Sequence, residues 1–119
     1  MLAPCALGAS LNEQTVPTLR AQLIAGAANN QLATPADGDA LQRRGICYLP
    51  DYLVNAGGII SVAREYRDEG EEAAVMAEVG QIRGRVAELL DRIKTSGLTP
   101  AREADAWARS LLVKPTTAR

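Results

Sequence analysis

Residues 23–32 read L-I-A-G-A-A-N-N-Q-L, an apolar run that passes into small residues and then into three carboxamides. A run without alternation suits a strand buried on both faces, as in a parallel sheet covered by helices on each side. Two runs of the same kind flank it, at residues 2–7 and 46–49, each bounded by Gly, Pro or Asn. The segments between them have helical character. In residues 15–22, Thr15 can cap and Pro17 fits a first turn; residues 37–44 are closed by Gly45. Strand, helix, strand, helix, strand is the βαβαβ order, and right-handed crossovers make its three strands parallel.

After Asn55-Ala56-Gly57-Gly58 the pattern turns helical. Ile59, Ile60, Val62, Ala63 and Tyr66 share one side of a helix before the charges of residues 65–72 interrupt it. A longer helix follows, with Val75, Val79, Ile82, Val86, Leu89, Leu90 and Ile93 at steps of three and four and Gly97 past its end. Gly80 and Gly84 inside it cost about 1 kcal/mol each against alanine, which predicts close approach by another element there. A last helix over residues 100–112 opens with Thr99 and Pro100 and is expected to bury Trp107, Leu111 and Leu112. The division is thus a half nucleotide-binding βαβαβ unit over residues 1–58, a C-terminal helical region over 59–113 and a frayed tail over 114–119.

A chain of 119 residues suits one domain with one core. Hydrophobic residues at 47% and charged residues at 23% are the balance of a globular protein rather than a disordered one. No apolar run approaches the ~18 residues that span a bilayer, and the N-terminus lacks the basic flank of a secretion signal, so the cytoplasm is the expectation. A net charge of −1 with mixed signs offers no field for nucleic acid or an anionic membrane. Cys5 and Cys47 have no CxxC spacing, and the sequence contains no histidine, which argues against a zinc site and against His-activated nucleophiles. Both cysteines read as small buried side chains. Lys94 and Lys114, the only lysines, read as solvated surface groups.

Three clusters stand at the C-terminal ends of the expected strands: residues 4–8, residues 26–31, and Pro50-Asp51-Tyr52 leading to Asn55-Ala56-Gly57-Gly58. In an open parallel sheet ligands bind at that edge. Small residues let a flat ring approach the backbone, and carboxamides both donate to and accept from an amide or a carboxylate. Asn-Asn or Asn-Ala-Gly-Gly alone also reads as turn and cap chemistry; three such clusters at one edge point to a binding crevice.

The series A-P-C-A-L-G, A-G-A-A-N-N-Q-L, R-G-I-C-Y-L-P-D-Y and N-A-G-G, in that order and spacing, resembles the NAD-dependent glutamate, leucine, phenylalanine and valine dehydrogenase family, most nearly its leucine, valine and phenylalanine members. The resemblance covers residues 2–65 most strongly. It implies an α/β fold: the second half of a Rossmann-type sheet, three parallel strands with helices, followed by C-terminal helices. It also implies NAD as cofactor, an L-amino acid as substrate, oxidative deamination to a 2-oxo acid, and a homo-oligomer. Carried over by position, it places Cys5, Ala6, Leu7, Asn29 and Asn55 around the nicotinamide end of NAD. Asn29 and Asn55 would also meet the amino acid, with Val54, Ala56, Gly57 and Ile60 near its side chain. The family's glycine-rich pyrophosphate loop, its ribose-binding acidic residue and the catalytic lysine and aspartate of its preceding domain have no counterpart here, so no catalytic residue is expected in the chain and it is expected to be inactive alone. The competing reading is a non-catalytic half-Rossmann assembly module that uses the open edge of the first strand.

Overall fold

The computed structural model describes residues 1–112; the expected tail at 114–119, with residue 113, lies outside the described residues. The apolar run at residue 23 forms β1 (Leu23–Ile24), which pairs in parallel with β2 (Cys47–Tyr48), Leu23 opposite Cys47 and Ile24 opposite Tyr48. Between them lies α1 (Pro35–Arg43), opened by a capping box in which the Asp37 carboxylate accepts from the Thr34 N–H (2.8 Å) and hydroxyl (2.7 Å). Its stop is Gly45, in the left-handed region at φ +70°.

The third strand expected at residues 2–7 is reduced to one parallel bridge, Leu2 to Ile24. Leu2 N–H donates to Leu23 O (2.8 Å) and Leu2 O accepts from Ala25 N–H (3.1 Å). Pro4, two residues on, has no N–H to continue the ladder and contributes only its carbonyl, to Ala28 N–H at 2.9 Å. The chain then leaves the sheet, and a second, separate parallel bridge pairs Leu11 with Leu32. The helix expected over residues 15–22 is likewise shorter, a 3₁₀ turn at Val16–Thr18. There the Asn12 carboxamide oxygen accepts from the N–H of Gln14 and Thr15, and the Thr15 hydroxyl donates to Ser10 O, so side chains take up backbone groups that a helix would need.

After β2 come α2 (Asp51–Val54), α3 (Gly57–Tyr66), α4 (Glu72–Gly80), α5 (Ile82–Ser96) and α6 (Pro100–Leu112). The continuous helix expected across residues 75–93 is two helices meeting at Gln81. No neighbour lies within 4 Å of where a Cβ would stand on Gly80 or Gly84, so the predicted close approach does not occur. The glycines weaken the helix locally instead, and the Gln81 N–H tightens onto Glu78 O at the junction. Gly97, at φ +69°, ends α5 as its position predicts.

The core gathers Leu11, Val16, Ile24, Leu41, Ile46 and Tyr48, with Leu2, Leu19, Leu32, Ala40 and Ala101 packed against it. Arg44 fastens the 3₁₀ turn to this core through the carbonyls of Val16 and Leu19. On the helical side α5 packs on α6, burying Leu89, Glu103 and Ala104, and the Arg92 guanidinium lies 4.6 Å from the centre of the Trp107 ring. Trp107 is only half-buried, and Leu111 and Leu112 are exposed, contrary to the expected burial of all three. The last turn of α6 runs past its neighbours among the described residues. Cys5 is exposed and Cys47 half-buried, so neither is the buried residue its apolar surroundings suggested.

A two-pronged ion pair, Arg102 to Asp39 at 2.6 and 2.7 Å, ties α6 to α1. The hydrogen bond from Arg102, aided by its charge, holds the Asp39 carboxyl below its ordinary value of 3.8. A depressed folded-state pKa gives stability that is fully present above the unfolded value and is lost as pH falls through the folded one. Arg102→Gln should therefore lower the melting temperature slightly at pH 6, and the difference from the parent chain should close as the pH is taken below about 4, as thermal melts followed by circular dichroism at several pH values would show.

Candidate functional site

The backbone around β1 and β2 sets the site before any side chain is considered. The Leu2 segment and β2 both run parallel to β1, and the chain after Leu2 meets the loop at Gly26–Asn30. Pro4 O accepts from Ala28 N–H, and Ala9 N–H donates to Asn30 O at 2.7 Å. A Cβ on Gly26 would lie 2.1 Å from Pro4 O, so only glycine lets these two backbones touch. Gln31 braces the loop from inside: fully buried, its Nε2 donates to Gly26 O and Ala28 O, both at 2.9 Å.

α2 brings the third group in. Asn55 caps its end, its backbone N–H donating to Asp51 O, the first carbonyl of the helix, at 2.7 Å. The Asn55 side chain reaches back across the edge, Nδ2 donating to Ala27 O (2.7 Å) and to the Asn29 carboxamide oxygen (3.2 Å). Asn29 and Asn55 are thus brought together, as their places at one sheet edge predict. Asn55 Oδ1 and Asn29 Nδ2 keep an acceptor and a donor without a protein partner among the described residues. Beside them a depression of about 230 Å³ is lined by Ala25, Gly26, Ala27, Val54 and Asn55.

The remaining expected residues fall in two groups. Cys5, Ala6 and Leu7 are exposed on the segment whose ends, Pro4 and Gly8, touch the Gly26–Asn30 loop; Leu7 is 80% exposed. Val54 lines the depression, whereas Ala56 and Ile60 are buried and Gly57 is half-buried, near Val79 of α4, and none of these three lines it. Sequence reasoning gave no role to Asp51, whose carboxylate accepts from Asn30 N–H at 2.7 Å and from the Tyr48 hydroxyl at 3.1 Å. Nor did it single out Gln31. The signal for both was their place inside the quoted motifs, and only the folded loop reveals the contacts.

A larger cavity of about 660 Å³ lies on the other side of Asn30, between the start of α1 and α6, with Tyr48, Asp51, Tyr52, Arg102 and Arg109 among its lining. Burial, with the Asp51 charge adding to it, pushes the Tyr48 phenol well up; burial and the Asp105 and Asp51 charges push Tyr52 up to about 12. Both therefore stay protonated donors at neutral pH. Lys94 pairs with Asp91 on the exposed face of α5 (2.7 Å), as a surface lysine should; Lys114 lies outside the described residues. No cluster of His, Cys, Asp and Glu among the described residues could hold a metal ion. No described helix is long and apolar enough to cross a membrane.

The close approach at Gly26 gives a direct test. Gly26→Ala should lower stability by roughly 1–3 kcal/mol or more in urea unfolding. Gly58→Ala, in α3 with open space around the new Cβ, should raise it by about 0.5–1 kcal/mol.

The sequence is 40% identical to leucine dehydrogenase of Bacillus cereus over 117 residues, which is 98% of this chain and 32% of that protein. It is 43% identical to valine dehydrogenase of Streptomyces albus, with the same coverage. Among solved structures, L-tryptophan dehydrogenase from Nostoc punctiforme superposes with a TM-score of 0.85 at 39% identity, covering 91% of this chain and 33% of that one. The chain spans about a third of the length of the curated relatives it matches. The model of the glutamate/leucine/phenylalanine/valine dehydrogenase family matches residues 1–110, and the chain belongs to that family.

Proposed function

We propose that this chain is the C-terminal part of the nucleotide-binding domain of an NAD-dependent amino acid dehydrogenase, an oxidoreductase of amino acid metabolism that deaminates a branched-chain or aromatic L-amino acid to its 2-oxo acid in the cytoplasm. The observation that carries the reading is the Asn55–Asn29 pair beside the Gly26–Ala27 depression. Residues 1–58 are then the second half of the Rossmann-type unit, and residues 59–113 the helical region that follows.

The donor set fits the nicotinamide end of the cofactor. The backbone of Gly26 and Ala27 forms part of the wall of the depression, against which a flat ring can lie. Asn55 Oδ1 and Asn29 Nδ2 offer the acceptor and the donor that a carboxamide or a substrate carboxylate requires. At about 230 Å³ the depression is below the usual range for a whole ligand, which supports one end of a dinucleotide rather than all of it. When bound, NAD supplies the hydride acceptor. The chain's own part is to orient: Asn29 and Asn55 fix the amide and the carboxylate, and the segment carrying Cys5, Ala6 and Leu7 flanks the ring. Val54, Ala56, Gly57 and Ile60 sit at or behind the substrate side. Proton transfer belongs to groups outside these residues, since no lysine or carboxylate lies on the depression.

The alternative, an assembly module working through the first strand's edge, would need more ladder than the single bridge at Leu2 offers. The 119-residue chain alone should form no NADH from leucine, valine or phenylalanine and should show little or no thermal shift with NAD. A chimera in which residues 1–112 replace the matching third of Bacillus cereus leucine dehydrogenase should oxidise an L-amino acid with NAD. Asn55→Ala in that chimera should lower kcat/KM by about a hundredfold. A folded chimera that ignores NAD, or an Asn55→Ala chimera of undiminished rate, would refute the reading.

A further inference from the structure

We propose that Asp51 is the positioning residue of this site: it sets the two carboxamides of Asn29 and Asn55 against each other by holding one loop with its side chain and the other with its backbone. This rests on the reading of Asn29 and Asn55 as the groups that meet cofactor and substrate.

Asn30 has φ +53°, in the left-handed region, and its peptide is clamped from both sides. Its N–H donates to the Asp51 carboxylate at 2.7 Å, and its carbonyl accepts from Ala9 N–H at 2.7 Å. The first bond is charge-assisted and spans 21 positions of sequence, so it fixes one loop relative to another rather than stiffening a single turn. Asp51 also opens α2, and its own carbonyl accepts the N–H of Asn55 at the other end of that one-turn helix. One residue therefore holds the neighbour of Asn29 through its carboxylate and holds Asn55 itself through its main chain. The 3.2 Å contact between the two carboxamides closes the ring.

Tyr48 orients the carboxylate. Its hydroxyl donates to the second carboxylate oxygen at 3.1 Å, and burial keeps that hydroxyl protonated. With one oxygen held by Tyr48 of β2 and the other by Asn30, the carboxylate has little freedom to turn away. The arrangement uses Asp51 purely as an acceptor; it joins the Asn30 turn to the start of α2, while the Asn55 side chain joins the same loop to the end of that helix.

The test uses the 119-residue chain without cofactor, so its outcome is independent of whether the chain serves an NAD enzyme. Proton–nitrogen NMR and hydrogen exchange are recorded for the parent, Asp51→Ala, Asp51→Asn and Tyr48→Phe. In Asp51→Ala the Asn30 amide should exchange about tenfold faster or more, and the Asn55 side-chain amide signals should move toward those of a free carboxamide. The methyl signals of Ile24 and Leu41 should stay in place. Asp51→Asn, which keeps an acceptor oxygen but no charge, and Tyr48→Phe should give smaller shifts of the same signals. A melting temperature that falls with the Asn55 carboxamide signals unmoved would mean a structural role only and would overturn the proposal. If Asp51→Ala does not fold, Asp51→Asn decides: a shifted Asn55 carboxamide supports the assignment and an unmoved one refutes it.

Discussion

The structure depends on one close approach, that of the Pro4 backbone to Gly26. A parallel sheet of two-residue strands has few ladder bonds of its own, and what holds the N-terminal segment to it is the Leu2–Ile24 bridge, with the carbonyl of Pro4 on Ala28 N–H just beyond β1. With a side chain at residue 26 that segment could not reach β1, and the loop carrying Cys5, Ala6 and Leu7 would not lie beside the carboxamides. Packing follows from this contact: Leu2, Leu11 and Ile24 meet in the core because the segment is drawn in at that point.

The same constraint explains why the site is made of backbone and carboxamides. The loops after β1 and β2 are short, and the groups they bring to the edge are main-chain carbonyls, Asn29 and Asn55. Such groups suit an uncharged amide and a carboxylate, and they orient rather than transfer protons. The carboxylate that is present, Asp51, is spent on holding the loops. That division of labour matches the orienting role proposed above for Asn29 and Asn55.

Much of the fold was legible in the sequence, because its signals were local. The left-handed stops Gly45 and Gly97, and Thr99 and Pro100 at the start of α6, act within a few residues, and each helix lies where they predict to within a turn. The misses share a physical cause. Pro4 cuts the first strand to a bridge because a ladder needs donors, which hydrophobicity does not register. Gly80 divides the long helix where its apolar periodicity continues undisturbed. Cys5, Leu111 and Leu112 are exposed because burial depends on what lies opposite. At the site, the convergence of Asn29 and Asn55 followed from strand order, whereas the Asp51 contact crosses loops that only folding brings together and the Gln31 bonds depend on the folded shape of their own loop.

Convergence of the three segment ends is read most directly from the nuclear Overhauser pattern of the Asn55 side-chain amide in the 119-residue chain. Cross-peaks to the β-protons of Asn29 and to Ala27 are expected, together with a cross-peak between Gly26 and Pro4. An Asn55 amide that sees only its sequence neighbours, with Gly26 remote from Pro4, would contradict it.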